Sequence, residues 1–551
     1  VGSLELGLQP DESRLTIGRF LADVVERHGD RVALCAGGRS LTFTELGRES
    51  RSLARGLVGA GVVKGARVAL LLGNGLEWAQ AYFAVGLVGG VLVPVNTFAT
   101  PDELDYILRH ADASLLLLQA RLEKHRYRDE LYARHPALRG AAGQIRCAAL
   151  PQLRRVVSLE DWPELRALGD DVSDEMLDAL AAQVSPSDDG LVIYTSGTTA
   201  LPKGVLHSQR APVIQSWRFA ELMALTPDDR VQSAQPFFWT AGIAMSLGSS
   251  LAAGACLWLD EVFDPASVLE TVERERITTL HAWPHQEKAL AEHPDAVRRD
   301  LSSLRRIRAS SPLAALAGIE KDEWGMDASY GLSETFTLVS ALPATASLEQ
   351  RQACHGRALP GMELRIVDPA SGAELPLGAS GEIAVRGATL MRGYHKVDPG
   401  LVFDAEGWLR TQDGGSLDAE GRLHWTGRLS NLVKTGGANV SPLEIEAILA
   451  PHPDLRAALA VGVPHPTLGE ALVLCAVAAQ GAEPDEAGVQ EYLRSKLAAY
   501  KVPRRVLFFR PEEIVFTGTQ KIQLGPLREA ALQRLGAEGA EIAGHRYGET
   551  A

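Results

Sequence analysis

The sequence predicts an α/β fold in which a large N-terminal domain of doubly wound sheets, closed by a β-rich lobe, is followed by a smaller α/β C-terminal domain. Three observations carry this. Apolar strands alternate with amphipathic helices through the first third of the chain, as in a parallel sheet. From Gly356 the texture changes to short strands separated by turn signals. After Asn431 helices and strands alternate again to the end. At 551 residues the chain exceeds what one core supports, roughly 250 to 300 residues. The change of pattern divides it at 1–429 and 430–551.

Each element rests on its own signal. Ile17, Phe20, Leu21, Val24 and Val25 fall at helical spacing behind Thr16, a natural N-cap. A second helix places Leu46, Leu53 and Leu57 on one face, and the apolar run Arg67 to Gly73 reads as a strand. Helix and strand then recur in Asn74 to Asn96 and in Thr100 to Leu118. From about Gln119 to Pro186 the pattern weakens, and this stretch reads as surface helices and loops. The runs LRIVD, GEIAVRG and GRLHWTG give the strands of the lobe. In the last part SPLEIEAILAPHP and VQEYLRSKLAAY read as helices, and LAVGVP and LVLCAVAA as strands.

Composition narrows the function. A formal net charge of −14 without a block of Lys or Arg leaves no electrostatic footprint for nucleic acid. No stretch reaches about 18 uninterrupted apolar residues, so no membrane span is expected, and the N-terminal residues carry no secretory signal pattern. The 5 cysteines lie far apart and read as reduced, buried thiols of a cytoplasmic protein.

The sharpest motif is Ile193-Tyr194-Thr195-Ser196-Gly197-Thr198-Thr199-Ala200-Leu201-Pro202-Lys203-Gly204, directly after an apolar run. A strand opening into small hydroxylated residues and glycine offers N–H groups, hydroxyls and one ammonium to an oligophosphate. It is not the loop of P-loop NTPases, because Lys203 follows proline and no Ser or Thr comes next.

This string resembles the signature of the AMP-forming adenylating enzymes: acyl- and aryl-CoA synthetases, the adenylation domains of nonribosomal peptide synthetases, and firefly luciferase. Further motifs stand in the order that family shows. They are Pro236-Phe237-Phe238-Trp239-Thr240-Ala241-Gly242, Tyr330-Gly331-Leu332-Ser333-Glu334-Thr335, and Gly381-Glu382-Ile383-Ala384-Val385-Arg386-Gly387. Trp408 to Gly414, Gly427-Arg428-Leu429-Ser430-Asn431, Lys434-Thr435-Gly436-Gly437 and Thr517-Gly518-Thr519-Gln520-Lys521-Ile522 follow. The resemblance covers nearly the whole chain, in its acyl-CoA synthetase branch.

The resemblance implies ATP, Mg²⁺ and coenzyme A, with a carboxylic acid converted to an acyl-adenylate and then to a thioester. Thr195, Ser196, Gly197, Thr198, Thr199 and Lys203 would hold phosphates, and Glu334 the Mg²⁺ ion, which takes one or two carboxylates beside phosphate oxygens. Tyr330 would stack on adenine with Gly331 beside it in the nucleotide-binding motif, while Ser333 and Thr335 flank phosphates and metal. Asp413 would accept the ribose hydroxyls and Arg428 contact ribose and phosphate. Lys521 would bridge carboxylate and α-phosphate, a task suited to a compact charge on a flexible stem. The family's small domain is mobile: it rotates between half-reactions about a hinge matching Ser430, and brings in a segment matching Gly436 and Gly437 to line the pantetheine tunnel.

Three positions depart from the family pattern: Ala200, Gln520 and Ser430. The first two replace glycines, where positive φ would cost a side chain about 1 to 2 kcal/mol. For the acid, Trp239, Thr240, Ala241, Trp283 and Leu332 suggest an apolar pocket. No aspartate accompanies them from Phe237 to Gly242 to pair with an amino-acid ammonium. A fatty, alicyclic or aromatic acid is expected. A ligase loading a carrier protein's phosphopantetheine, a luciferase-like oxidation and a lapsed nucleotide-binding protein remain as alternatives, and the oligomeric state, a homodimer included, is left open.

Overall fold

Helix caps and strand periodicity turn the sequence pattern into structure. In the computed structural model, which describes residues 12–140, 145–195, 201–233, 235–429, 433–440, 442–513 and 524–548, the first long helix is Ile17–His28. Thr16 caps it, its hydroxyl accepting the Arg19 N–H at 3.2 Å. Capping boxes also open the helices Phe43–Gly59 (Thr42, Glu45) and Pro101–His110 (Thr100, Glu103).

Two sheets form the body of the large domain. The seven-stranded one runs, from edge to edge, Gly393–Tyr394, Lys203–Ser208, Asp189–Thr195, Val91–Pro94, Arg67–Leu71, Leu115–Leu118 and Arg155–Ser158. Its last five strands pair in parallel, whereas Asp189–Thr195 and Lys203–Ser208 form an antiparallel hairpin. The five-stranded sheet orders Thr279–His281, Arg230–Ser233, Cys256–Leu259, Val32–Ala36 and Arg39–Thr42. Helices Phe43–Gly59, Leu76–Leu87 and Arg210–Leu222 share one core with both sheets. Leu76–Leu87 is buried nearly all round, which is why its sequence shows no polar face.

The stretch from Gln119 to Pro186 corrects the sequence reading. It holds surface helices, but also the strand Arg155–Ser158, which extends the sheet beyond Leu115–Leu118. Four residues with arginine at the start carry too little apolar pattern to announce a strand; pairing with Leu115–Leu118 supplies the order.

Beyond the sheets, Met362–Val367, Gly381–Gly387, Leu409–Leu417 and Leu423–Arg428 form the antiparallel lobe. The small C-terminal domain centres on Gly469–Ala478, whose side chains alternate between two cores. Ala471, Val473, Cys475 and Val477 face Leu507, Leu527 and Leu535, while Leu472, Leu474 and Ala476 face Ile445, Leu449 and Leu493. The cysteines are free, but only Cys147, Cys354 and Cys475 are buried. Cys35 and Cys256 are half-buried on neighbouring strands with their Sγ atoms 3.8 Å apart, a proximity that sequence separation conceals. No described helix is long and apolar enough to cross a membrane.

Candidate functional site

The phosphate-loop motif sits in the hairpin of the seven-stranded sheet. Thr195 closes one strand and Lys203 opens the next, and the two are directly paired. Ser196, Gly197, Thr198, Thr199 and Ala200 lie outside the described residues. The short strand Gly393–Tyr394 pairs alongside and sets the Tyr394 ring 5.0 Å from the Lys203 Nζ. The Tyr394 hydroxyl donates to Glu334 Oε1 at 2.8 Å. Lys203, Tyr394 and Glu334, far apart in sequence, therefore form one polar cluster.

Glu334 stands on the tight turn Ser333–Thr335 after the strand Ser329–Leu332. Gly331 precedes it where a Cβ would lie 1.5 Å from the Thr337 carbonyl oxygen, so only glycine fits. The buried Thr335 hydroxyl accepts the Leu332 N–H and reaches the Leu332 and Thr337 carbonyls, each at 3.1 Å. Thr335 thus shapes the turn that carries Glu334.

Residues that sequence reasoning missed hold this turn from below. Fully buried His207 donates from Nε2 to the Ser333 carbonyl at 2.8 Å, and its ring meets Phe336 edge-on. A carbonyl only accepts, which fixes the neutral tautomer, and burial pushes the imidazole down to about 3. The Gln215 amide donates to the Thr335 and Leu338 carbonyls at 3.1 and 2.7 Å. Polar residues inside apolar elements were the available signal for both.

Tyr330, on the other side of the turn, is 6% exposed and donates its hydroxyl to Asp413 Oδ2 at 2.9 Å. Asp413 lies in Leu409–Leu417 opposite Arg428. The adjoining Gln412 has φ +60° and its N–H is received by Glu382 Oε1 at 2.8 Å. Glu382, the acidic residue of the Gly381-to-Gly387 motif, therefore secures the bend that presents Asp413.

A separate cavity of about 430 Å³ lies where the two domains meet. Trp239, Phe238 and Trp283 of the large domain line it together with Thr435, Gly436 and Tyr500 of the small one. Trp239 is half-buried rather than core, its ring edge-on to Tyr500 with centroids 6.3 Å apart. Thr240, Ala241 and Leu332 lie off this cavity: Thr240 is buried, and Gly242 turns the chain so tightly that a Cβ would lie 2.1 Å from the Pro236 carbonyl oxygen.

Gly436 and Gly437 form the two-residue turn between Val433–Thr435 and Ala438–Val440, with φ +57° and +83°. Positive φ at both positions is the geometry that demands glycine or its few substitutes. The turn rests on the large domain: a Cβ on Gly437 would stand 3.1 Å from the Trp283 ring.

Comparisons with known proteins agree with this geometry. Residues 21–395 match the model of the AMP-binding enzyme family and residues 444–521 that of the AMP-binding enzyme C-terminal domain. The chain belongs to the AMP-binding enzyme family. It is 34% identical over 540 residues to YngI of Bacillus subtilis, provisionally named an acyl-CoA synthetase, covering 94% of this chain and 97% of that one. It is also 34% identical over 507 residues to a (methyl-dioxo-octahydroindenyl)propanoyl:CoA ligase of Mycobacterium tuberculosis, covering 90% and 95%. Among solved structures, the amide bond synthetase McbA of Marinactinospora thermotolerans superposes with a TM-score of 0.75 at 31% identity, covering 94% and 99%. Like its relatives, this AMP-binding enzyme is an adenylate-forming acid–thiol ligase of the acyl-CoA synthetase branch.

Of the family's site positions, Lys521, Gln520 and the hinge position Ser430 lie outside the described residues, and Arg428 is placed by its backbone in Leu423–Arg428. The described residues gather in two places: the Lys203–Tyr394–Glu334 cluster with Tyr330 and Asp413 nearby in the chain's motifs, and the cavity shared by Trp239, Trp283 and Gly436.

Proposed function

We propose that this AMP-binding enzyme activates an apolar acid, fatty, alicyclic or aromatic, and transfers it to the thiol of coenzyme A in the cytoplasm. The observation that carries this reading is the shared cavity. The Trp239, Trp283, Phe238 and Phe263 rings give the cavity apolar walls that suit an apolar acid, Glu123 and Glu261 also reach its lining, and a side-chain-free glycine turn in the same wall leaves room for a thin pantetheine arm.

In the first half-reaction the acid's carboxylate oxygen attacks the α-phosphorus of ATP and pyrophosphate leaves. Charge gathers on phosphate oxygens, so preorganised cations and donors lower the barrier. Lys203 and the hydroxyl-rich loop from Thr195 to Thr199 would receive the phosphates. Tyr330 and Asp413 would hold adenosine, with Arg428 beside the ribose, and Lys521 would neutralise the reacting oxygens. Glu334, half-exposed and oriented by Tyr394, fits Mg²⁺ as its single carboxylate. Bound there, Mg²⁺ supplies charge neutralisation on the phosphates.

For the second half-reaction we assign residues 430–551 as the mobile unit, turning about Ser430. The orientation described here, with Gly436 at the cavity, suits thiol attack on the adenylate carbonyl and departure of AMP. A panel of octanoic, cyclohexylpropanoic, cinnamic and amino acids with ATP, Mg²⁺ and CoA tests the reading through pyrophosphate release and product mass. A thioester of an apolar acid is expected. Product only with a carrier protein, an amide in place of a thioester, or preference for an amino acid would overturn the assigned substrates.

A further inference from the structure

A buried ionic triad crosses the junction between the domains. Lys501 of the small domain donates from Nζ to Glu444 Oε1 of the same domain and to Glu103 Oε1 of the large one, each at 2.8 Å. The three side chains are 4%, 3% and 12% exposed. Glu103 opens the helix Pro101–His110, and Glu444 lies in the first turn of Pro442–Leu449. Lys501 follows Tyr500, whose hydroxyl accepts from Asn96 Nδ2 at 3.4 Å and whose ring meets Trp239 and Phe98 edge-on.

Lys501 and Glu444 would travel together when the small domain turns, whereas Glu103 stays behind. Buried charges tolerate only the arrangement that pairs them, because removing one partner leaves the others desolvated and uncompensated. Two carboxylates share one ammonium, so neither is redundant. Burial pushes the Glu444 carboxyl upward, opposed by Lys501, and Glu103 adds repulsion. This is a poor arrangement for adhesion in general and a good one for holding a single orientation.

We propose that Glu103 is a positioning residue for thiol transfer: it receives the Lys501–Glu444 pair and so holds the Gly436–Gly437 turn against Trp283 and Tyr500 against Trp239. The proposal rests on the two-step reading above, because it assigns the triad to one half-reaction. It names an acidic residue in a helix-capping position as a determinant of domain orientation, a role its local motif does not suggest.

The helix cap makes the test clean. Glu103 Oε2 accepts the Thr100 N–H at 2.9 Å, a bond glutamine can also accept. Glu103→Gln therefore removes the charge at the junction while keeping the helix start. Amide hydrogen exchange, measured on the full chain without substrate, should accelerate about tenfold over residues 433–440 and stay unchanged over 101–110, the local opening read directly. Unchanged exchange over 433–440 would overturn the proposal, whatever acid the enzyme uses.

With octanoic or cinnamic acid, whichever the panel shows to be activated, pyrophosphate exchange without CoA should stay within about twofold. Single-turnover transfer from preformed adenylate to CoA should slow about tenfold, the rate following the lost population of the competent orientation. An equal fall in both half-reactions, or a fall in neither, would also overturn the positioning role. Failure of the wild type to activate any acid would instead sink the substrate reading, leaving the exchange experiment to decide on the triad.

Discussion

Replacing Gly437 by alanine tests whether the glycine turn serves the second half-reaction. Two separable costs follow from the structure. The residue has φ +83°, so alanine pays about 1 to 2 kcal/mol for the left-handed backbone wherever the small domain stands. The added Cβ also lies 3.1 Å from the Trp283 ring, a contact that exists only while the turn rests on the large domain. Forcing a methyl group into a packed contact costs roughly 1 to 3 kcal/mol. The second cost is specific to orientation and corresponds to about 5- to 150-fold in the population that presents the thiol tunnel. The assay follows adenylation by ATP–pyrophosphate exchange and transfer by single-turnover thioester formation, with the melting temperature measured on the same preparation. Transfer should fall by that factor while adenylation persists and the melting temperature drops slightly from the backbone strain. Adenylation falling as far as transfer in a folded variant, or transfer surviving intact, would refute the assignment of this turn to the thiol step.

Trp239→Ala should reorder the accepted acids and raise the KM of the native one: about 100 Å² of lost apolar contact is worth roughly 2.5 kcal/mol. An unchanged rank order with a large fall in melting temperature would make Trp239 a packing residue. Lys521→Ala should lower adenylation by about 10² to 10³ while thioester formation from supplied adenylate survives; equal loss of both steps would reject its assignment to adenylation. Ser430→Pro, which fixes φ near about −65°, should trap one orientation, leaving adenylation and abolishing transfer, and indifference of both steps would place the pivot elsewhere. The pH dependence of stability should follow His207, held neutral and pushed down to about 3 by burial. Because the unfolded histidine binds its proton near pH 6.5 and the folded one does not, stability is full above that value and falls as the pH drops toward the folded pKa. Between pH 7 and pH 5 this amounts to about 2 kcal/mol. Urea unfolding of wild type and His207→Gln at both values checks it; equal pH slopes would exclude His207 as a source.

The sequence by itself determined the reaction class and most elements, because both are written in short-range patterns. Helix periodicity behind Thr16, alternating strands and the loop around Thr195 to Lys203 each depend on residues within one or two turns of one another. Even Gly436 and Gly437 announce a turn locally, since two positive φ values in succession need glycine. The tertiary structure decided what those patterns meet. His207 supports Ser333 and Tyr394 orients Glu334, pairs separated by more than 50 positions that meet because the turn after Ser329–Leu332 packs on the edge strands of the seven-stranded sheet. The strand Arg155–Ser158 exists because Leu115–Leu118 offers it an edge. The sequence offers Trp239 as a pocket residue, but the arrival of Tyr500 and Gly436 beside it is what makes it the wall of a cavity shared by the two domains. In its local setting Glu103 only completes the capping box of Pro101–His110. Its second oxygen finds Lys501 at a sequence separation of 398 residues, and a buried charge pairing at that distance is set by how two domains dock rather than by any local preference of the chain.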